Sequence, residues 1–426
     1  MIRSSMTTIL KSGKMEAMAL CAEQRTALPT AVFVILTIAA LAWIAMVIGI
    51  PNSEQNCLFF CGGETNFYYD FFINKAVSKM PHQYVETAYS SMVELSKVSR
   101  HDQCYPPLAN YWVGLFPESP VGAVSCTLIG VVVFILGLSA FFKRFIPGKG
   151  LISTVVVCCS APFLFAVTVA NLILYAVGFS LVFLAWYDST SQLRKSVAAM
   201  ALAISVVLKI SPVLLGVLYL GRNWRFYIRH AILSAVIALI LFIVPFTFCG
   251  GLEAFKAWLE NASMNASTYA TRNHFGLYGL VVVLVQSFSI SQLPLIGLQI
   301  LRVVSSSIGL FVLIKGCRLN SGSLERGAAV ALGMLFLPPT MMYYTALFII
   351  PFAISGMFHY NERIRKASAA YCLSQCTLLQ IPLFLGRPGS LNESFAAAAS
   401  IDLAIGLSLL TFCKKDQLPD SVIKDT

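Results

Sequence analysis

Charge is scarce in this sequence: of its 426 residues only 12% are Asp, Glu, Lys or Arg, while 58% are hydrophobic. A soluble domain carries about 25% charged residues, so this chain lacks the polar material to cover a globular surface. Strictly alternating apolar and polar runs are also missing. That removes a transmembrane β-barrel and leaves helices as the segments able to satisfy their own backbone inside a bilayer. No Walker or dinucleotide-type glycine motif occurs, which argues against a nucleotide-driven pump. The twelve cysteines include no CxxC pair and no Cys/His cluster at zinc spacing. Most, such as Cys126, Cys158, Cys159 and Cys376, stand in apolar runs, where cysteine is a small packing residue. Cys57, Cys61 and Cys104 share one polar stretch. In an oxidising compartment a disulfide from Cys57 or Cys61 to Cys104 is one reading, and free thiols are the other.

What the chain has is a succession of apolar runs. The spacing predicts an all-α polytopic bundle of about twelve spans. Residues 1–30 are read as a cytoplasmic N-terminal segment: the apolar run beginning near Leu28 is span-length, longer than the core of a cleaved signal. Residues 31–413 form the transmembrane domain, with outer loops at 51–120 and 249–292, and residues 414–426 are a cytoplasmic tail. Within it, spans are expected at 31–50, 121–142, 151–165 and 171–187, the third and fourth joined by a tight turn containing Pro162. Two short apolar segments, 196–208 and 212–221, pivot at Lys209-Ile210-Ser211-Pro212. Further spans lie at 230–248 and 293–315, two flank Pro338-Pro339, and two more flank residues 387–393. Residues 279–290 are too short to cross and read as re-entrant.

The net charge of +11 fits this topology without nucleic acid. Lys75, Lys79, Lys97, Arg100, Lys256, Arg272 and Arg387 fall outside, and Lys209 and Arg302 fall in or at the edge of spans. The remaining Lys and Arg residues are all cytoplasmic, and every short cytoplasmic loop is basic. Counting 279–290 as a full span would invert everything after it. No RNP-type motif or aromatic–basic interleaving points to nucleic acid.

Few residues stand out as candidates for chemistry. Glu64 and Asp70 follow the first span. Asp70 reads either as the N-cap of a short interfacial helix or as a general base at the membrane surface. Lys209 reads as a snorkelling lysine or as the partner of an anionic group such as a lipid phosphate. Arg302 and Asp402 are the other intramembrane ionisable residues; a phosphate would suit the arginine fork. Arg272, Asn273 and His274 gather before the re-entrant stretch, either as a sugar or phosphate site or as an ordinary polar loop. Asn261, Asn265 and Asn392 lie in N-x-S triplets on the outer side.

Taken in order, these pieces resemble the C-type membrane glycosyltransferases, the superfamily of the actinobacterial polyprenol-phosphate-dependent mannosyltransferases and arabinofuranosyltransferases. Asp70-Phe71-Phe72 matches the family's Asp and amphipathic stretch, and Tyr105-Pro106-Pro107 its Tyr-Pro-Pro entry. Pro162 through Asn171-Leu172 matches the turn between the third and fourth spans. Lys209-Ile210-Ser211-Pro212 matches the Lys-x-x-Pro pivot, and Asn273 to Gly279 the Asn-x-Ser-Leu-x-Gly segment. Leu337 to Tyr344 is similar to the late Ser-Pro turn. The match spans residues 60–355. It departs at Ala170, where the family has Gly, after Asn273, where the family's Ser is replaced, and in the late turn, which lacks the family's Trp and His.

The resemblance implies a GT-C-like fold with its site at the outer face. The donor would be a polyprenyl-phosphate-linked sugar, mannose or pentose-like, and the acceptor a glycan or glycolipid, with inversion at the anomeric carbon. Asp70 would be the base; Lys209, Arg272 and Arg302 would hold the donor phosphate. Glu64, Tyr105, Asn171, Asn273 and His274 would line the substrate, with no metal or cofactor required. A multi-pass protein of the bacterial inner membrane is expected through the family, an endoplasmic reticulum protein being the alternative. A lipid-linked glycan flippase and a non-catalytic envelope scaffold are the rival classes, and the need for Asp70 itself discriminates them.

Overall fold

The computed structural model of the protein describes residues 29–35, 37–38, 68–80, 83–85, 103–221, 224–268, 295–318, 323–336, 343–359 and 361–373. It is all-helical: 83% is helix, and no strand occurs among the described residues. The main elements are α1 (Tyr69–Ser78), α2 (Pro107–Gly114), α3 (Pro120–Phe145), α4 (Gly150–Cys158), α5 (Ala161–Thr168), α6 (Ile173–Trp186) and α7 (Gln192–Leu208). A 3₁₀ helix, Ser211–Leu220, precedes α8 (Trp224–Thr247), α9 (Gly251–Thr268), α10 (Leu295–Arg318) and α11 (Ser323–Phe336). A second 3₁₀ helix, Tyr343–Phe348, leads to α12 (Ile350–Gly356) and α13 (Glu362–Leu373).

Two helices, α3 and α8, are long and apolar enough to cross a membrane. The start of α3 is written in its sequence: Ser119 caps it by accepting from the Gly122 N–H at 3.2 Å, and Pro120 takes the first helical position. Lys143 and Arg144 in its last turn complement the helix dipole. Only 17% of the apolar window of α8 is buried; Phe226, Ile232, Val236, Leu239, Ile240 and Ile243 are exposed along it. An apolar helix so little covered by its own protein suits lipid. Helix α6 is the opposite case, buried on every side, and forms the centre of the bundle.

Helices α3 and α6 touch backbone to backbone. A Cβ on Gly137 would stand 2.3 Å from the Gly178 carbonyl oxygen, and one on Gly178 would stand 2.7 Å from that of Val133. Small residues permit this approach, as in other apolar helix pairs. The two helices run parallel, because Tyr175 bonds Cys126 near their starts and Arg144 bonds Ala185 near their ends. The intervening α4 and α5 therefore run back the other way. Helix α7 is antiparallel to α6, through Ser205 to Ser180 and to the Ala176 carbonyl. The 3₁₀ helix after it returns Tyr219 to Tyr187 at the far end of α6, and α8 climbs back to set Phe246 beside Tyr84. The described elements thus shuttle between two ends. One holds Asp70, Tyr105, Asn171 and Lys209; the other holds Arg144, Asp188, Tyr219, Arg326 and His359.

Three expectations need correction. Pro162 is the second residue of α5 rather than part of a turn, as suits proline, which lacks the N–H that would find no helical partner in a first turn. The run 151–165 is instead interrupted at Cys159 and Ser160, and the reversal falls at residues 169–172. The second outer loop is helical over Gly251–Thr268. Finally, α1 is docked inside the protein rather than on its surface: Phe71, Phe72, Ile73, Ala76 and Val77 are all buried. The first span beyond residue 38, the re-entrant stretch 279–290, the Pro338-Pro339 turn, Asp402 and the last two spans beyond residue 373 lie outside the described residues, as do the outermost termini.

Candidate functional site

Four residues from four separate segments meet at one end of the bundle. Asp70 lies in the first turn of α1, whose backbone N–H donates to the Val169 carbonyl at 3.1 Å and so ties α1 to the α5–α6 turn. The N-cap position of α1 is Tyr68, and its side chain makes no cap. The capping reading of Asp70 is therefore replaced by another role: its Oδ2 accepts a hydrogen bond from the Asn171 amide. The same Nδ2 donates to the Tyr105 hydroxyl at 2.9 Å. Asn171 Oδ1 accepts from the Lys209 ammonium at 3.3 Å and from the Ile173 backbone N–H at 2.8 Å. The Lys209 ammonium also lies 5.4 Å from the centre of the Tyr105 ring, within cation–π range.

Asn171 is the hub. It is 2% exposed, and one amide holds a carboxylate through its nitrogen and an ammonium through its oxygen. This requires a sharp reversal before it, which the end of α5 supplies. The Ala170 N–H donates to the Val167 carbonyl and the Asn171 N–H to that of Ala166, the paired bonds of a Schellman helix end. That motif needs a left-handed residue, normally Gly, and Ala170 adopts φ 52°. Among the described residues, the non-glycines with positive φ are Tyr68, Tyr84 and Ala170, and all three flank this cluster. Each such residue costs about 1–2 kcal/mol in backbone energy, and such conformations gather at functional sites.

Lys209 is placed by a break in the bundle. Helix α7 ends at Leu208 because Pro212 follows, and Lys209 itself is extended at φ −155°, ψ 123°. It stands in the turn between α7 and the 3₁₀ helix, outside both. Burial pulls its ammonium down to about 8, while the Asp70 carboxylate pulls the other way. Snorkelling is thus not its geometry: the side chain turns inward to Asn171.

A supporting layer lay beyond sequence reasoning. Tyr84 is fully buried; its hydroxyl donates to the Tyr105 carbonyl at 2.8 Å and accepts from the Asn110 amide at 2.9 Å. Burial pushes the Tyr84 phenol well above its ordinary pKa, which keeps it a neutral donor. Helix α9 closes over this layer. Trp258 Nε1 donates to the Cys104 carbonyl at 3.0 Å, and the Asn261 amide donates to the Tyr84 carbonyl at 3.0 Å. Asn261 is fully buried and so engaged, which removes it as a glycan acceptor in the folded protein. At the other end of α1, Lys75 donates to the Gly114 carbonyl, the last of α2, at 2.7 Å, and Lys79 pairs with Glu118. Nothing in the local sequence around Tyr84 announces it.

Of the expected site residues, the structure brings together Asp70, Tyr105, Asn171 and Lys209. Glu64, Arg272, Asn273 and His274 lie outside the described residues, as do Cys57 and Cys61. Arg302 contributes its backbone to α10, and its side chain is outside the description. A small cavity of about 50 Å³ lies elsewhere, lined by Leu332, Phe352 and Ala353 among other apolar groups and by the Glu325–His359 pair. It is remote from the Asp70 cluster and holds no comparable constellation. No family model matches this sequence, and no curated protein matches it.

Proposed function

We propose that this protein is an integral membrane glycosyltransferase of GT-C-like fold. It moves a sugar, mannose or pentose-like, from a polyprenyl-phosphate-linked donor to a glycan or glycolipid acceptor, with inversion. The observation that carries this reading is the meeting of Asp70, Tyr105, Asn171 and Lys209, which stand in four separate motifs of the sequence. A carboxylate and an ammonium held apart by one amide are the two charges that such a displacement uses.

In the proposed reaction the acceptor hydroxyl oxygen attacks the anomeric carbon. Its proton passes to the Asp70 carboxylate as the new carbon–oxygen bond forms. The bond from the anomeric carbon to the phosphate oxygen breaks, and the lipid phosphate leaves with the electron pair. Lys209 stabilises the charge that develops there, and Arg272 and Arg302 complete the phosphate-binding set. Asn171 orients both charged groups, and Tyr105 packs its ring against the ammonium. A single displacement inverts the centre. Glu64, Asn273 and His274 contact substrate in this reading, and no cofactor takes part.

The membrane arrangement proposed with it has about twelve spans, both termini in the cytoplasm and the Asp70 end facing outward in a bacterial inner membrane. Support comes from charge: Lys143, Arg144, Lys149, Arg194, Lys195, Arg225 and Arg229 all cluster at the end of the bundle away from Asp70. The decisive experiment is transfer from radiolabelled polyprenyl-phosphate sugars in membranes carrying wild type or Asp70→Asn. Transfer by wild type and a loss of about 10³-fold or more in a correctly inserted Asp70→Asn supports the assignment. Equal transfer by both removes Asp70 as the base, and no transfer from any donor favours the flippase reading.

A further inference from the structure

The end of the bundle opposite Asp70 carries a second polar constellation with no part in that chemistry. Helix α6 is 14 residues long, so its two ends stand about 20 Å apart. At the far end Tyr187, Tyr219 and Tyr227 form a triangle, with ring centroids 6.2–6.4 Å apart. Tyr187 and Tyr219 are 1% and 2% exposed, and both hydroxyls are buried with no hydrogen-bond partner. Leaving a buried hydroxyl unpaired costs about 1–3 kcal/mol, and here two belong to neighbouring rings. Arg326 stands within electrostatic reach of Tyr187 and Tyr227. One of its terminal nitrogens is 3.7 Å from where a Cβ on Gly221 would sit.

The neighbouring charges are already matched. Arg144 donates to the Ala185 carbonyl at 2.6 Å and pairs with Asp188 at 2.5 Å. Glu325, next to Arg326 in the chain, directs its carboxylate to His359 at 2.9 Å. Arg326 makes no hydrogen bond or salt bridge among the described residues, and its Nε is buried without a partner. The Glu325 carboxylate acts on Arg326 through space, but it bonds His359 rather than the guanidinium. A partly buried guanidinium with an unbonded Nε, near two idle hydroxyl donors, supplies donors and positive charge and lacks a directly bonded acceptor.

We propose that Arg326, Tyr187 and Tyr219 bind a phosphate group at the basic end of the bundle. The chemistry fits a phosphate mono- or diester: the guanidinium fork takes two oxygens, and the hydroxyls donate to the others. A lipid headgroup and a soluble phosphate share that chemistry. The headgroup is the source expected first, because the site stands where the basic residues collect and α8, exposed to lipid, contributes Tyr227.

The test uses the full chain, purified in detergent and loaded separately with dioleoylphosphatidylglycerol and with dioleoylglycerol, which lacks the phosphate. Native mass spectrometry counts the lipid retained, and melting is followed with and without inorganic phosphate. Wild type should retain the phospholipid about tenfold more tightly than the diacylglycerol, and Arg326→Met and Tyr219→Phe should each abolish most of that preference. Arg326→Lys, which keeps the charge without the fork, should lose only part. If Arg326→Met does not fold, Tyr219→Phe carries the test, since it removes one oxygen at unchanged packing. No lipid preference, with inorganic phosphate raising the melting temperature of wild type but not of the variants, would assign the site to soluble phosphate. Equal retention of both lipids and no response to phosphate would overturn the proposal and leave the hydroxyls to water.

Discussion

Replacing Asn171 with Ala tests whether one amide organises the Asp70 end of the bundle. The side chain is 2% exposed and makes four hydrogen bonds, to Asp70, Tyr105, Lys209 and the Ile173 backbone. Two of those partners are charged groups, and bonds of that kind contribute about 1.5–3 kcal/mol each. The Ile173 N–H, once orphaned, costs about 1–3 kcal/mol more. The cavity left by the amide lets water reach the freed partners, so the lower ends of these ranges apply, and the net loss is about 3 kcal/mol. For a chain of this length that corresponds to a fall of roughly 3–6 °C in apparent melting temperature, read by tryptophan fluorescence in nanodiscs. Sugar transfer should fall further in proportion, by about 10²-fold, because both charged groups lose their orientation. Ser205→Ala is the control. It removes a buried bond to Ser180 and the Ala176 carbonyl, costs about 0.6 kcal/mol, and should leave transfer unchanged. An Asn171→Ala protein that melts within about 1 °C of wild type and transfers within about twofold would refute the hub reading.

Two further outcomes follow from the same geometry. Ala170→Gly relieves a left-handed alanine at φ 52°, so it should be neutral to stabilising by up to about 1 kcal/mol with transfer retained, whereas Ala170→Val should lower both; a destabilised glycine variant would show that the Ala170 methyl matters more than its backbone. Lys209, with its pKa near 8 in the folded protein against about 10.4 unfolded, should give transfer an alkaline limb near pH 8, as the ammonium that meets the phosphate is lost. Between those two values the unfolded chain binds more protons, so stability should rise with pH while transfer falls. Lys209→Arg should move the limb upward, and an unmoved limb would assign it to another group.

Much of the Asp70 site was legible because each of its residues stands where an apolar run breaks. Asp70 follows the first run, Tyr105 precedes two prolines, and Lys209 precedes Ser211-Pro212. Such breaks are where side chains leave the packed interior and meet one another. What could not be read was the hierarchy among them. Sequence places Asn171 among five substrate-lining candidates, and only the Schellman reversal makes it the hub. Helix α9 was misread as a loop because its polar content outweighed its pattern. Ala254, Ala257, Trp258 and Asn261 recur at helical spacing, and it is this face that packs on Tyr84 and Cys104. Pro162 was misread for a different reason: proline marks a helix start as readily as a turn.

Lys209 shows how the third dimension decides between two readings that sequence leaves equal. A snorkelling lysine gains by reaching headgroup water, so its ammonium would be solvated and its neighbours apolar. Here the ammonium is buried against Tyr105 and bonded to Asn171, a desolvation that costs stability at neutral pH and is opposed chiefly by the charge of Asp70. The left-handed Ala170 and Tyr68 on either side of the cluster cost more backbone energy still. Three separate unfavourable terms concentrated on one cluster of four residues do nothing for folding that apolar packing would not do better. Their common product is a carboxylate and an ammonium fixed at opposite ends of a single amide, the arrangement on which the proposed transfer rests.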